Sequence, residues 1–200
     1  MPGERLPEPE RREAILEGAY RVAVRNHLGG LSVQAVADAA GVSKGLVFHH
    51  FSDKETLLLA LLDWLLARSP RVEVPGDLGG AEGVHPVRRL VMLVAYQVEL
   101  LPERREQVEL FLDFWVMGMA APEIQERIRA AFDRYREGFV PYTAEVVRAL
   151  PARFPDGDAD GLAAVVVSFI EGCALQLMAD PSQFDVDRYV RSVESLVLGD

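Results

Sequence analysis

The chain has 200 residues, half of them apolar and 26% charged, enough for one or two packed domains and a poor fit to disorder, collagen or a coiled-coil repeat. A lone cysteine, Cys173, excludes an internal disulfide framework and a four-cysteine metal site. The net charge of −10 argues against a nonspecific nucleic-acid coat, but it is uneven: residues 1–70 hold 8 Lys/Arg against 9 Asp/Glu and three of the four histidines, while residues 71–200 hold 13 against 22.

The opening residues, MPGERLPEPERRE, have no apolar core and are not expected to act as a secretory signal. Residues 10–26 put Ile15, Ala19, Val22 and Ala23 on one stripe, the spacing of a helix, and His27-Leu28-Gly29-Gly30 stops it. Ser32 is an N-cap for a helix carrying Val33, Val36, Ala37 and Ala40, and Gly41 supplies the left-handed residue that ends it. Ser43 caps a short helix from Lys44 to His50. Ser52-Asp53-Lys54-Glu55 reads as a capping box, with Ser52 at the N-cap of a helix that runs to about Arg68. Residues 69–85 form a Pro/Gly-rich loop.

Helices are then expected over 86–101, 103–120, 122–150, 159–179 and 185–198, with Pro141 kinking or splitting the third of them. The apolar run Gly161 to Ala179 contains Ser168, Glu171 and Gln176, which a membrane span rarely carries, so a cytoplasmic protein with no membrane partner is expected. No stretch shows sustained strand alternation. The fold class is all-α, with about nine helices.

Two short helices joined by Ala40-Gly41-Val42-Ser43 have the spacing of a helix-turn-helix. At about 100° per residue, Val47 and Phe51 share the inward face of the second helix, with Val42 beneath. Gly45 and His49 point outward, flanked by Leu46 and Phe48, and Lys44 lies at the N-terminal end, where such helices reach base edges. A glycine there lets the backbone approach a surface closely, and outward aromatics and histidines suit sugar, phosphate and thymine methyls. Lys54 is a cation at the positive end of a helix, which hints at an anionic partner. Adjacent His49 and His50 point about 100° apart with no third ligand nearby in sequence, so no metal site is expected.

The segment LSVQAVADAAGVSKGLVFHHFSDKETLL closely resembles the DNA-binding region of the TetR family of transcriptional regulators. The shared elements are Ala40-Gly41-Val42-Ser43, Gly45, Phe48-His49, His50-Phe51 and Lys54-Glu55. The resemblance spans 10–68 in organisation and is dense over 31–58. It implies a three-helix reading domain, residues 1–54, followed by a larger helical domain, 55–200, that binds a small ligand and dimerises. It also implies DNA contacts from Ser32, Ser43, Lys44, Gly45, Leu46, Phe48, His49, His50 and Lys54. The family's aromatic pair is usually Tyr-Tyr or Tyr-Trp; Phe48 lacks the hydroxyl and His49 replaces a larger ring, so one phosphate hydrogen bond is expected to be either missing or supplied differently. More loosely, FLDFWVMGMAAPEIQERIRAAFDRYREGF resembles the regulatory domains of the choline-responsive repressor group, and no ligand is carried over from it.

Helix 103–120 is apolar nearly all round from Leu110 to Met119, which predicts a central position in its domain. Phe111, Trp115 and Met119 recur every four residues and, with Phe114, are the candidate lining of an effector pocket, favouring an apolar ligand and leaving a cation possible over Trp115. Plain core is the alternative for each of them. Ala163, Val167, Ile170, Ala174 and Met178 lie close to one stripe of helix 159–179, and helix 185–198 carries Val186, Tyr189, Val190, Val193, Leu196 and Val197. These two helices are the expected two-fold interface, with Val167 and Val193 in it. Cys173 reads as a buried small hydrophobe.

Carboxylate pairs such as Glu109 with Asp113, or Glu145 with Asp156, come with no nucleophile, base and orienting group together, so no catalytic residue is expected. The expected function is a homodimeric regulator of a palindromic double-stranded operator, a repressor released by a small apolar effector, with no cofactor. The rivals are a helical binding protein without DNA regulation, an enzyme using the helical pocket, and an activator of the same fold. Lys44, His49 and His50 on the outward face argue against the first. The second would need convergent polar groups in the pocket.

Overall fold

The computed structural model describes residues 7–68, 72–76 and 83–198, and those residues form nine helices and no strand. In chain order they are α1 (Glu8–Gly30), α2 (Val33–Ala40), α3 (Lys44–His50), α4 (Lys54–Arg68), α5 (Pro86–Glu99), α6 (Arg105–Gly118), α7 (Pro122–Ala149), α8 (Ala159–Ala179) and α9 (Val186–Leu198). Much of the loop expected over 69–85 lies outside the described residues.

Local chemistry sets the boundaries. The helical path of α1 breaks at His27, whose φ of 56° and ψ of 169° are not helical. Ser32 accepts from the Ala35 amide at 3.1 Å, and Gly41 ends α2 at φ 67°, a left-handed conformation that glycine adopts without strain. The capping box is corrected. Asp53, not Ser52, caps α4: its carboxylate accepts from the Thr56 amide at 2.7 Å, while Ser52 Oγ donates to Asp53. A carboxylate outcompetes a hydroxyl for the positive end of a helix.

Helix α7 runs unbroken through Pro141 rather than splitting. Pro141 and Glu137, whose carbonyl loses its helical donor there, are both exposed, so water can satisfy that oxygen.

The chain packs as two compact units, one within Met1–Ser69 and Glu106–Ile128, the other within Pro70–Arg105 and Arg129–Asp200. In the first, Ile15, Leu16, Ala19, Val22 and Ala23 of α1 are buried, as are Val36 and Ala37 of α2 and the Leu57, Leu58, Leu61, Leu62 and Leu65 face of α4. Helix α6 belongs to this unit and is not covered on every side. It buries one stripe, Leu110, Phe114 and Gly118, while Val116 and Met119 are 67% and 78% exposed. An apolar sequence all round is therefore matched by packing on only one face.

In the second unit α5 lies against α8 and α9. Arg89 of α5 pairs with Glu145 of α7 at 2.7 Å, and the buried Thr143 hydroxyl donates to the Ala159 carbonyl at 2.8 Å, joining α7 to the start of α8. Helix α8 is the one described helix long and apolar enough to cross a membrane. The stripe assigned to a two-fold interface is corrected: Ala163, Val167, Ile170 and Ala174 are buried within the chain itself. The apolar surface left outward is Val165 and Leu175, with Phe169 and Gly172 half-buried between them. Val165 and Val167 stand about 200° apart around the helix, so they serve opposite faces. On α9, Val186, Tyr189, Val190 and Val193 are half-buried, and the side chains of Leu196 and Val197 lie outside the described set. Cys173 is 1% exposed, and burial pushes its thiol up to about 11, the behaviour of a small core hydrophobe.

Candidate nucleic-acid interface

Helix α3 is held from one side only. Val47 and Phe51 are 1% and 2% exposed, facing the unit's core. Ser43 accepts from the Leu46 amide at 3.2 Å, and Val42 N–H donates to the Ala37 carbonyl at 3.0 Å, which fixes the turn between α2 and α3. Outward, Ser43, Lys44, Gly45, Phe48 and His49 are exposed, with Leu46 and His50 half-buried at the edges. Ser32 and Lys54 are exposed as well, so seven of the nine candidate contacts stand open. Nothing but Ser43 Oγ, at 3.9 Å, lies within 4 Å of where a Gly45 side chain would begin, so a DNA backbone can approach there. Ser32 and Ser43 use an oxygen lone pair as caps and keep the hydroxyl proton to donate outward.

The electrostatics of this face are set by its neighbours. Lys44 Nζ lies 5.8 Å from the centre of the Phe48 ring. His49 and His50 meet edge to face with centroids 5.4 Å apart. Burial, followed by the His49 charge, holds His50 below the ordinary imidazole range. Asp53 is held below the usual carboxylate range by the Thr56 amide, so the α4 cap stays charged beside Lys54.

Residues 15–61 match the family of bacterial regulatory proteins of the tetR type, and residues 86–198 match the C-terminal region of BetI-type transcriptional repressors. The chain belongs to the TetR family. A DNA-binding transcriptional regulator, not an enzyme, is what this membership makes it. The HTH-type transcriptional regulator BetI of Pseudomonas fluorescens is 24% identical, covering 92% of this chain and 89% of that one. The HTH-type transcriptional repressor AcnR of Corynebacterium diphtheriae is 49% identical over 68 residues, 34% of this chain and 36% of that one. A transcriptional regulator from Saccharomonospora viridis, solved in complex with choline, superposes with a TM-score of 0.69 at 20% identity, covering 96% and 98% of the two chains.

In this TetR protein the four residues expected to line an effector pocket are not on one wall. Phe111 and Trp115 are together, with ring centroids 6.4 Å apart. Phe114 is fully buried beneath them, and Met119 lies beyond the last turn of α6 and is 78% exposed. Met117, not among the four, faces an open groove of about 550 Å³ that also runs past Lys54, Leu58 and Ile124.

A separate set of polar groups lies in the second unit. Gln97 of α5 is 2% exposed; its Nε2 donates to the Glu73 carbonyl at 2.6 Å, while its Oε1 has no partner. A carbonyl only accepts, so the amide cannot be turned round, and the orphan is an acceptor that needs a donor. Arg104 holds the Glu73 carboxylate at 2.7 Å. Next along, Val72 crosses Gly138 of α7 so closely that a Cβ there would meet Val72 Cγ2 at 2.6 Å. One turn away, Tyr135 packs edge-on against Phe139 with centroids 5.3 Å apart. From α8, Glu171 lies near enough for its charge to add to the burial that raises the Tyr135 phenol. Desolvation pushes the Glu171 carboxyl itself up to about 7, and no hydrogen bond or ion pair to a described residue compensates it. Tyr135 and the buried Glu171 carboxyl are thus neighbours, and Gln97 keeps one unmatched acceptor in the same unit. The sequence carries one signal for this cluster, an ionisable residue inside the apolar run 161–179.

Proposed function

We propose that the protein is a homodimeric, cytoplasmic repressor that reads a palindromic operator with residues 1–54 and uses residues 55–200 to dimerise and to bind a small effector that releases DNA. The outward face of α3 carries this reading: apart from the Ser43 cap, Lys44, Phe48 and His49 stand exposed, while Val47 and Phe51 anchor the helix behind them. The effector we favour is a small organic cation rather than an apolar molecule. Glu171, Gln97 and the rings of Tyr135 and Phe139 support that class, and so does the choline bound to the Saccharomonospora viridis regulator. Release requires the cation to bind the DNA-incompetent arrangement more tightly, since equal affinity for both would shift nothing. For the dimer, the outward stripe of α8 formed by Val165, Phe169, Gly172 and Leu175 is the candidate contact.

Selection of bound duplexes from a random pool tests the reading. The expected product is an inverted repeat with half-site centres about one helical turn, ~34 Å, apart. A pool that stays random after repeated rounds would overturn it.

A further inference from the structure

The first turns of α1 carry two arginines that the helix-turn-helix pattern does not include. Arg12 lies with its guanidinium 5.2 Å from the centre of the Phe51 ring, and that ring is 6.4 Å from His50. Arg11, Arg12 and His49 are all close enough to depress the basicity of His50, and Glu8 alone acts in the opposite sense. Four basic groups thus crowd the C-terminal end of α3.

Two polar atoms in this crowd are unsatisfied. Arg11 Nε and His50 Nε2 are both buried without a hydrogen-bond partner. Elsewhere in the same unit Arg68 pairs with Glu13, and Arg21 with Glu17 and the Ala39 carbonyl. Among the described residues no carboxylate pairs with Arg11 or Arg12, although the chain carries ten more acids than bases. Two arginine charges side by side with no carboxylate partner cost folding free energy, so the arrangement serves a missing anion. Its place names the anion. Phe51 leads within three residues to Lys54, and His49 stands on the exposed reading face, so the cluster borders the surface assigned to DNA.

We propose that Arg11, Arg12 and His50 form a seat for a DNA backbone phosphate just outside the base pairs read by α3. Such a seat would add a backbone contact to a reading face on which Phe48 has no hydroxyl to offer. The proposal rests on the DNA-reading function, and the test separates the two.

Binding of the selected operator and of unrelated duplex is measured against salt for the unaltered protein and for the Arg11→Gln, Arg12→Gln double variant. If the unaltered protein shows no preference for any duplex, the reading function itself fails and the seat with it. If it does, the variant is expected to weaken both DNAs by a similar factor, leaving their ratio unchanged. The slope of log affinity against log salt should shrink by about 0.9 for each phosphate that is no longer neutralised. An unchanged slope in a folded variant overturns the seat, as does a changed operator preference. Phosphate ethylation interference with the unaltered protein covers the case of a variant that does not fold. An interfering phosphate flanking each half-site outside the specified bases is expected, and its absence overturns the proposal.

Discussion

Replacing Glu171 by Gln gives the sharpest view of the C-terminal cluster. Burial lifts this carboxyl from its ordinary 4.5 to about 7, with no compensating partner among the described residues. Below about pH 4.5 the folded and unfolded chains both hold the proton, and the group contributes no pH dependence. Between about 4.5 and 7 the unfolded chain ionises first, so stability falls as pH rises; above about 7 the loss is complete. At about 1.36 kcal/mol for each pKa step, the full loss is roughly 3 kcal/mol. Gln keeps the shape and cannot ionise. Urea unfolding of both proteins at pH 5 and pH 8 therefore isolates this group from every other titration. At pH 5 the Gln variant should be ahead by no more than about 1 kcal/mol, and at pH 8 by roughly 3 kcal/mol. A difference that does not grow with pH would refute the claim of an uncompensated buried carboxyl.

Three further outcomes follow from the same structure. Lys44→Ala should cost roughly 1–3 kcal/mol of operator affinity and relax one position of the selected site, because Lys44 leads the exposed face of α3; selection with the variant reads this directly. Val165→Glu should yield a folded monomer by sedimentation, whereas Val167→Asp buries a charge inside the chain and should abolish the cooperative melt. Asp113→Ala should destabilise by about 1–2 kcal/mol in denaturant unfolding, because Asp113 Oδ2 accepts from the Leu28 amide at 3.2 Å and contacts His27 Nδ1 at 3.1 Å across the break in α1.

The helices were legible because their signals are local. Ser32, Gly41 and Ser43 act as caps through backbone groups within four residues, so sequence spacing alone predicts them. The inward and outward faces of α3 follow from angle for the same reason. What a helix packs against is not local. Leu110, Phe114 and Gly118 are covered while Val116 and Met119 are exposed, yet all five look alike in an apolar run. Helix α8 presented two apolar stripes, and periodicity could not say that the Val167 stripe serves the chain's own core and the Val165 stripe faces out. The cluster around Glu171 was hidden for the same reason, since residues 73, 97, 104, 135 and 171 meet only after α5, α7 and α8 are packed. Arg11 and Arg12 sit about forty residues from the His50 they face and match no spacing rule.

The central claim is a two-fold reader in which each subunit presents one α3 to one half-site. Titrating the protein against the selected palindrome and against an isolated half-site, with the bound stoichiometry determined for each, tests it most directly. Two chains should bind the palindrome in a single transition, and the half-site should bind at least about 100-fold more weakly, because linkage through the dimer supplies the second contact at high effective concentration. One chain per site, with equal affinity for palindrome and half-site, would contradict the account.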